Sequence, residues 1–197
     1  FLHDALPICG IVIQNEGSSH NQLTGNFIGT DVDGTKSSGN DAEGIVIELG
    51  SHLNHIQDNV IAGNTMSGIS IRHNGTTSNT VVGNYIGVDV SGTRVLGNDE
   101  QGVVFLQGAQ SNKLGGSASR ERNVIAGNSG NGIGVWNPGT DHNIIVGNYI
   151  GTDATGTLPL GNYYNGIDLG GNIKKTRVGG VLLGERNVIG ANQAHGI

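Results

Sequence analysis

The motif Asn-x-x-x-Gly, repeated along the chain, constrains the fold more than any other feature of this sequence. It occurs as Asn40/Gly44, Asn64/Gly68, Asn98/Gly102, Asn128/Gly132, Asn162/Gly166 and Asn192/Gly196. Counted from Gly10, successive glycines of this register lie 34, 24, 34, 30, 34 and 30 residues apart. Self-similarity at such intervals predicts stacked copies of one supersecondary unit, which is a solenoid.

Each repeat contains three short apolar segments with the alternation expected of β-strands. The first follows the motif glycine, as at Ile45 and Ile47. The second begins at Asn21, Asn54, Asn79, Asn112, Asn143 and, departing from type, Thr176. The third begins at Asn26, Asn59, Asn84, Asn123, Asn148 and Asn187. Because glycine and β-branched residues are poor helix formers, these segments are predicted to be strands joined at Asn and Gly corners.

The unequal spacing of the repeats is explained by insertions at two fixed corners. The bare repeat has 24 residues, between Gly44 and Gly68. Ten-residue insertions at 30–39, 88–97 and 152–161 follow the third strand, and six-residue insertions near 116–121 and 180–185 precede it. The sequence therefore predicts an all-β fold, a single-stranded parallel β-helix of about six rungs with three short strands in each.

Parallel stacking of the rungs at about 4.8 Å aligns identical asparagines into ladders. One predicted ladder contains the third-strand asparagines, and another contains Asn40, Asn64, Asn98, Asn128, Asn162 and Asn192. Each amide can bond to the amides above and below it, and asparagine also tolerates left-handed backbone at a tight corner.

Charge and apolar run length exclude some classes of partner, and the repeats mark where the domain begins. The formal net charge is −6 with no basic stripe, which argues against nucleic acid, and acidic glycans would be repelled without a cation. No apolar run reaches 18 residues, so no membrane insertion is expected. Residues 1–8 match no repeat and resemble a translated sequencing adapter, so we assign residues 9–197 to the β-helix domain, expected to be part of a longer solenoid.

Two repeat units carry a family resemblance. G-N-Y-I-G-T-D-A-T-G-T at 147–157 and R-N-V-I-A-G-N at 122–128 resemble units of bacterial secreted or surface proteins in the right-handed parallel β-helix, pectate-lyase-like superfamily. The resemblance implies an extracellular or cell-surface location. It also implies that any catalytic cleft lies on the outer face of the first strand. Lyases of this fold need a charge neutraliser, often Ca²⁺, and a Lys or Arg base, whereas hydrolases of this fold need clustered Asp side chains.

Four outward residues of the first strands are the candidates for a site. Glu48 and Arg72 fall on adjacent rungs, where a surface ion pair and a catalytic pair are the alternatives. Trp136 and Asp168 fall one rung apart, so they could bind a sugar ring by stacking and hydrogen bonding, or Trp136 could simply cover a loop. Neither the lyase set nor the hydrolase set is present in matching form, which leaves Glu48, Arg72 and Asp168 as weak catalytic candidates.

Metal sites are weaker candidates still. Asp31 and Asp33 in T-D-V-D-G-T resemble the start of a calcium loop, but Ser91 and Thr155 replace Asp33 in the other copies. An Asx-turn is the alternative for this loop. The histidines His52, His55 and His73 fall on neighbouring rungs without the three or four converging ligands that zinc needs.

The favoured interpretation is a non-catalytic structural or adhesive segment of an exported bacterial repeat protein, with a polysaccharide or cell-surface glycan as its partner. The first alternative is a carbohydrate-active lyase, epimerase or hydrolase whose site lies partly outside this chain. The second is a surface module stabilised by Ca²⁺, while no other cofactor is expected. End-to-end self-association is also expected, because terminal rungs of a solenoid expose strand edges unless they are capped.

Overall fold

The computed structural model describes residues 8–197, so residues 1–7, most of the segment that was set aside, lie outside it. The described residues form three six-stranded sheets in which every pairing of neighbouring strands is parallel. The chain passes once through each sheet before it starts the next rung. The predicted all-β parallel β-helix of six rungs is confirmed.

The first sheet contains the strands that open each rung. They are β1 (Ile11–Gln14), β4 (Ile45–Glu48), β7 (Ile69–Arg72), β10 (Val103–Leu106), β13 (Ile133–Val135) and β16 (Ile167–Leu169). The register pairs equivalent residues of successive rungs, as in Ile45 with Ile69. The outward positions therefore form continuous rows along the rod.

The second and third sheets use shorter strands. The second contains β2 (Gln22–Thr24), β5 (His55–Gln57), β8 (Thr80–Val82), β11 (Lys113–Leu114), β14 (Ile144–Ile145) and β17 (Arg177–Val178). The third contains β3 (Phe27–Ile28), β6 (Val60–Ile61), β9 (Tyr85–Ile86), β12 (Val124–Ile125), β15 (Tyr149–Ile150) and β18 (Val188–Ile189). Two 3₁₀ turns, η1 (Ser119–Glu121) and η2 (Leu183–Glu185), lie in the six-residue insertions.

The core is one column of inward-facing aliphatic side chains. Ile45, Ile69 and Ile86 are fully buried, and Phe105 is the largest side chain in the column. Burial of one such side chain contributes roughly 1.5–3 kcal/mol. The ten-residue loops cover a smaller apolar cluster around Val88, against which the third-strand residues Tyr85 and Tyr149 pack.

The asparagine ladders are confirmed, and each bond runs in the same direction. In every ladder the side-chain Nδ2 and the backbone N–H of one asparagine donate to the Oδ1 of the asparagine in the next rung. The Nδ2–Oδ1 distances are 2.9–3.1 Å in the third-strand ladder. They are 2.8–2.9 Å in the ladder of the Asn-x-x-x-Gly motif.

The second-strand asparagines form a third ladder that stops at Thr176. Its Nδ2–Oδ1 distances from Asn21 to Asn143 are 2.8–3.3 Å. Thr176, the next residue in the row, offers no amide oxygen, and its own buried Oγ1 has no hydrogen-bond partner among the described residues. The departure seen in the sequence is therefore a break in the hydrogen-bond network.

The expectation that the ladder asparagines adopt left-handed backbone was wrong. The positive φ angle belongs to the preceding residue at many corners, as at Leu53 (φ 56°) and Ser78 (φ 57°). The asparagine must aim both its N–H and its amide at the next rung, so its neighbour makes the turn. The glycine of the motif is required because there is no space for a side chain. A Cβ at Gly68 would lie 2.8 Å from the Gly102 carbonyl oxygen.

Candidate functional site

The outer face of the first sheet contains a groove of about 210 Å³ that crosses the middle rungs. Val104 and Leu106 of β10 form its apolar part, and Trp136 borders it on the next rung. Ser70 and Arg72 of β7 and the corner residues before each strand supply the polar part. The alternation of β7 and β10 produces this face, because Ile69, Ile71, Val103 and Phe105 point into the core.

Arg72 is held between two carboxylates. Its Nε donates to Glu48 Oε2 at 2.7 Å, and its Nη1 donates to Glu43 Oε1 at 3.1 Å. His73 Nδ1 lies 3.5 Å from the same Glu48 oxygen. Partial burial opposes the charged form, but the hydrogen bond to Glu48 and the charges of both carboxylates raise the pKa of Arg72 above its ordinary value. The predicted contact between Glu48 and Arg72 is therefore an ion pair that keeps the guanidinium protonated.

Glu43 is the residue that sequence reasoning missed. An acidic corner such as that of Asp41 and Glu43 would ordinarily be solvated, but only Asp41 is exposed, whereas Glu43 is 7% exposed and bonded to Arg72. The Cys9 thiol lies 3.5 Å from Glu43, and burial together with that carboxylate raises the pKa of the thiol. Strand alternation gave no signal for Glu43, because it groups residue 43 with the inward-facing Ile45 and Ile47.

Trp136 lies flat on the sheet instead of covering a loop. Its six-membered ring occupies the space that a side chain at Gly134 would fill, since a Cβ there would come within 2.7 Å of the ring. Its Nε1 donates to Asp168 Oδ2 at 3.0 Å, so the carboxylate of the next rung fixes the orientation of the indole. The side chain is only half-buried, which leaves ring surface available to a ligand.

Four polar side chains converge near the groove floor. Ser67 Oγ lies 3.2 Å from Glu100 Oε2 and 3.1 Å from Gln101 Oε1, and a single hydroxyl proton can satisfy only one of these acceptors. Ser70 is 2% exposed, and its hydroxyl makes no hydrogen bond to any described residue. This end of the groove is therefore rich in oxygen acceptors.

The structure separates the weak catalytic candidates. Glu48 and Arg72 bond to each other on neighbouring rungs, whereas Asp168 lies in the row of Ser70 but three strands away. Three strand spacings correspond to about 14 Å, so these side chains do not converge on one reacting bond. Trp136 and Asp168 do come together, because the Trp136 Nε1 donates a hydrogen bond to the Asp168 carboxylate.

The loop aspartates bond to their own loops. Asp31 Oδ1 accepts from the N–H groups of Thr35 at 2.8 Å and Lys36 at 3.1 Å, as an Asx-type turn requires. These hydrogen bonds, that of Thr35 foremost, lower the pKa of Asp31. Asp33 is exposed. Within residues 8–197, no three His, Cys, Asp or Glu side chains are grouped in a way that could hold a metal ion.

The three histidines also lie apart from one another in their contacts. His52 Nδ1 lies 3.1 Å from the carbonyl oxygen of Gly50, and His55 Nε2 lies 2.8 Å from Gln57 Oε1. His73 faces Glu48 in the first sheet. His52 and His55 therefore have a partner within their own rung, whereas His73 Nδ1 makes no hydrogen bond to any described residue.

Comparison with known proteins gives no assignment, because no family model, curated protein or solved structure matches the chain. In the part of the chain that the structure describes, no helix has the length and apolar character needed to cross a bilayer. The function must therefore be argued from the fold and the groove.

Proposed function

We propose that this chain is a non-catalytic, rod-like segment of an exported bacterial surface protein that binds glycans in the groove of its first sheet. The observation that carries the proposal is the Trp136 indole, which lies flat over Gly134 and is fixed by Asp168. An aromatic ring held parallel to a surface suits the apolar face of a sugar ring, and neighbouring polar groups suit its hydroxyls.

The rigidity of the rod supports a structural role. Three sheets and at least two asparagine ladders join each rung to the next, and the interior asparagines Asn79, Asn84 and Asn98 are fully buried. Because each rung contacts its neighbours in the same register, the groove side chains are held at fixed spacing along the rod. A glycan chain could then contact several rungs without ordering any loop, which reduces the entropic cost of binding.

The charge state of Arg72 argues against a lyase mechanism at this groove. A base must release its proton, but Glu48 and Glu43 raise the pKa of Arg72. Asp168, another acid of this face, accepts from the Trp136 N–H. We therefore assign Arg72 to holding the two glutamates, and Trp136 to contact with the sugar. The surface location rests on the resemblance of the 122–128 and 147–157 units to secreted and surface β-helix proteins.

Trp136 also supplies the test, because it is the single tryptophan of the chain. Titration with neutral and charged hexasaccharides should change its fluorescence, and calorimetry should show the same affinity. Trp136→Ala should lower the affinity at least tenfold, Trp136→Phe should retain part of it, and Lys36→Ala on a loop should change nothing.

Two results would contradict the proposal. Absence of binding to every glycan tested would remove the adhesive role, and unchanged affinity in Trp136→Ala would place the site elsewhere. New reducing ends or unsaturated products, lost in Arg72→Ala, would show that the protein is an enzyme.

A further inference from the structure

The charges of the first-sheet groove are strongly unequal. Glu43, Glu48 and Glu100 lie on this face with one guanidinium, that of Arg72, and Asp168 supports Trp136 at the far end. Arg72 is already saturated by two carboxylates, so it has no full charge to offer a ligand. A uronate chain entering the groove would bring further carboxylates next to these acids.

The hydrogen-bonding groups of the groove also favour a ligand that donates, because acceptors outnumber donors around Ser67. Around Ser67, the oxygens of Glu100 and Gln101 compete for one hydroxyl proton, so one acceptor is left for a donor from outside. Ser70 lies beside them on the groove floor, almost completely buried, with a hydroxyl that no described residue engages. Its neighbours along the row are Val46 and Val104, so Ser70 is a polar position between two apolar ones. The Ser70 hydroxyl opens into the groove, where it is free to bond to a ligand group.

We infer that the ligand of this groove is a glycan with free, protonated amino groups, that is, a polymer of hexosamine. An ammonium group donates three hydrogen bonds and accepts none, which matches the surplus acceptors of Ser67, Glu100 and Gln101. The face of Trp136 at the border of the groove attracts cations as well as sugar rings. This inference rests on the proposed glycan binding and specifies the class of glycan.

The alternative partners fit less well. A neutral glucan would stack on Trp136 but would leave the Glu100 carboxylate without a charged partner. A uronate could bind through bridging calcium, but within the described residues no acidic group of this face has the three ligands that would hold the ion. The amino sugar is the one class that uses both the aromatic ring and the acidic end of the groove.

A matched series of hexasaccharides tests the inference, because one backbone can be varied at a single position. The β-1,4-linked hexamers of glucose, N-acetylglucosamine and glucosamine differ only at carbon 2, as hydroxyl, acetamide and ammonium respectively. Hexagalacturonate, with and without Ca²⁺, supplies the anionic arm. Affinities should be measured by calorimetry at mildly acidic pH and low salt, where the amines are protonated and the carboxylates remain ionised.

The glucosamine hexamer should bind at least tenfold more tightly than the glucose hexamer, and added salt should reduce the difference. Glu100→Gln should reduce that preference about fivefold, since it removes one charge from the groove. Asp33→Asn removes the same charge from an exposed loop and should leave the preference unchanged. Ser70→Ala should weaken glucosamine binding while Trp136 fluorescence still reports the neutral hexamer.

The outcomes separate this inference from the proposed function. Equal binding of the three hexamers, or tighter binding of hexagalacturonate with Ca²⁺, would overturn the amino-sugar inference and leave glycan binding intact. An equal effect of Asp33→Asn and Glu100→Gln would show general attraction to an acidic protein and would also overturn it. Failure of every hexamer to bind would reject both.

Discussion

Replacement of Asn84 by alanine tests whether the ladders hold the rod together. Asn84 is fully buried in the middle of the third-strand ladder. Its Nδ2 donates to Asn123 Oδ1 at 3.0 Å and to the carbonyl oxygens of Ile56 and Val82 at 3.0 and 2.9 Å. Its Oδ1 accepts from the backbone N–H of Asn59 at 3.0 Å and from Asn59 Nδ2 at 2.9 Å.

The loss of stability in Asn84→Ala depends on which of these hydrogen-bonding groups keep a partner after the substitution. Asn59 Nδ2 keeps its bonds to the carbonyl oxygens of Leu23 and Gln57, but the Asn59 backbone N–H loses its acceptor inside the rod. One buried unpaired donor costs about 1–3 kcal/mol, and the small cavity adds to this. We therefore expect Asn84→Ala to lower the free energy of unfolding by about 2–4 kcal/mol.

Asn26 provides a matched control in the same ladder. It is exposed, and its side chain only donates, to Asn59 Oδ1 at 2.9 Å. Asn26→Ala leaves no buried donor unpaired, so it should cost less than about 1 kcal/mol. Urea unfolding of both variants, followed by circular dichroism, gives the comparison. Equal losses, or a larger loss for Asn26→Ala, would refute the assignment of stability to buried amide pairing.

Further predictions concern the ladder break, the core, the loops and the ends. Thr176→Asn should restore an acceptor for Asn143 and raise the free energy of unfolding by about 0.5–1.5 kcal/mol, and a loss of stability would contradict this. Ile86→Ala should cost about 2–5 kcal/mol in urea unfolding, whereas Lys36→Ala should stay within about 0.5 kcal/mol. Burial opposes ionisation of Asp153, but hydrogen bonds from Leu158 and neighbouring groups lower the pKa of its carboxyl. The ionised carboxylate therefore stabilises the fold above the ordinary pKa of aspartate, and this stabilisation is lost as the pH falls through the lowered pKa of the folded state. The fall in melting temperature between about pH 6 and pH 2 should therefore be smaller in Asp153→Asn. The first and last strands of each sheet have only one neighbouring strand, so their outer edges can pair with another molecule. Light scattering of the 197-residue chain should therefore show association that increases with concentration, and a strict monomer would contradict this prediction.

Much of the fold was predictable because every rung of a solenoid repeats the same strands and corners. The Asn-x-x-x-Gly register located each first strand, and loop lengths of ten and six residues accounted for the unequal spacing. Parallel pairing then placed equivalent residues such as Ile45 and Ile69 side by side. Rows of outward residues follow from the register alone, so Glu48 beside Arg72 and Trp136 beside Asp168 could be anticipated.

The remaining features depend on side-chain direction, which spacing does not determine. Glu43 sits at a corner where the chain bends, and whether a corner residue faces solvent or the sheet is decided by the turn itself. The orientation of Trp136 depends on the absence of a side chain at Gly134 and on the hydrogen bond that its Nε1 donates to Asp168. The left-handed angle at Leu53 in place of Asn54 likewise reflects the demand of the ladder for the asparagine's own N–H.

The common direction of the ladder bonds gives the rod an electrical polarity. Every asparagine-to-asparagine bond of the ladders runs from one rung to the rung that follows it, as from Asn64 to Asn98 and from Asn98 to Asn128. Aligned amide dipoles add along an axis, as the peptide dipoles of an α-helix do. In the ladders, each rung therefore presents Oδ1 atoms toward the preceding rung and Nδ2 donors toward the following one. Other Nδ2 bonds go to main-chain carbonyls, as from Asn98 to Ile61 of the preceding rung. Two such rods meeting with opposite orientation would set donors against donors or acceptors against acceptors, so contact between them favours a single, head-to-tail sense.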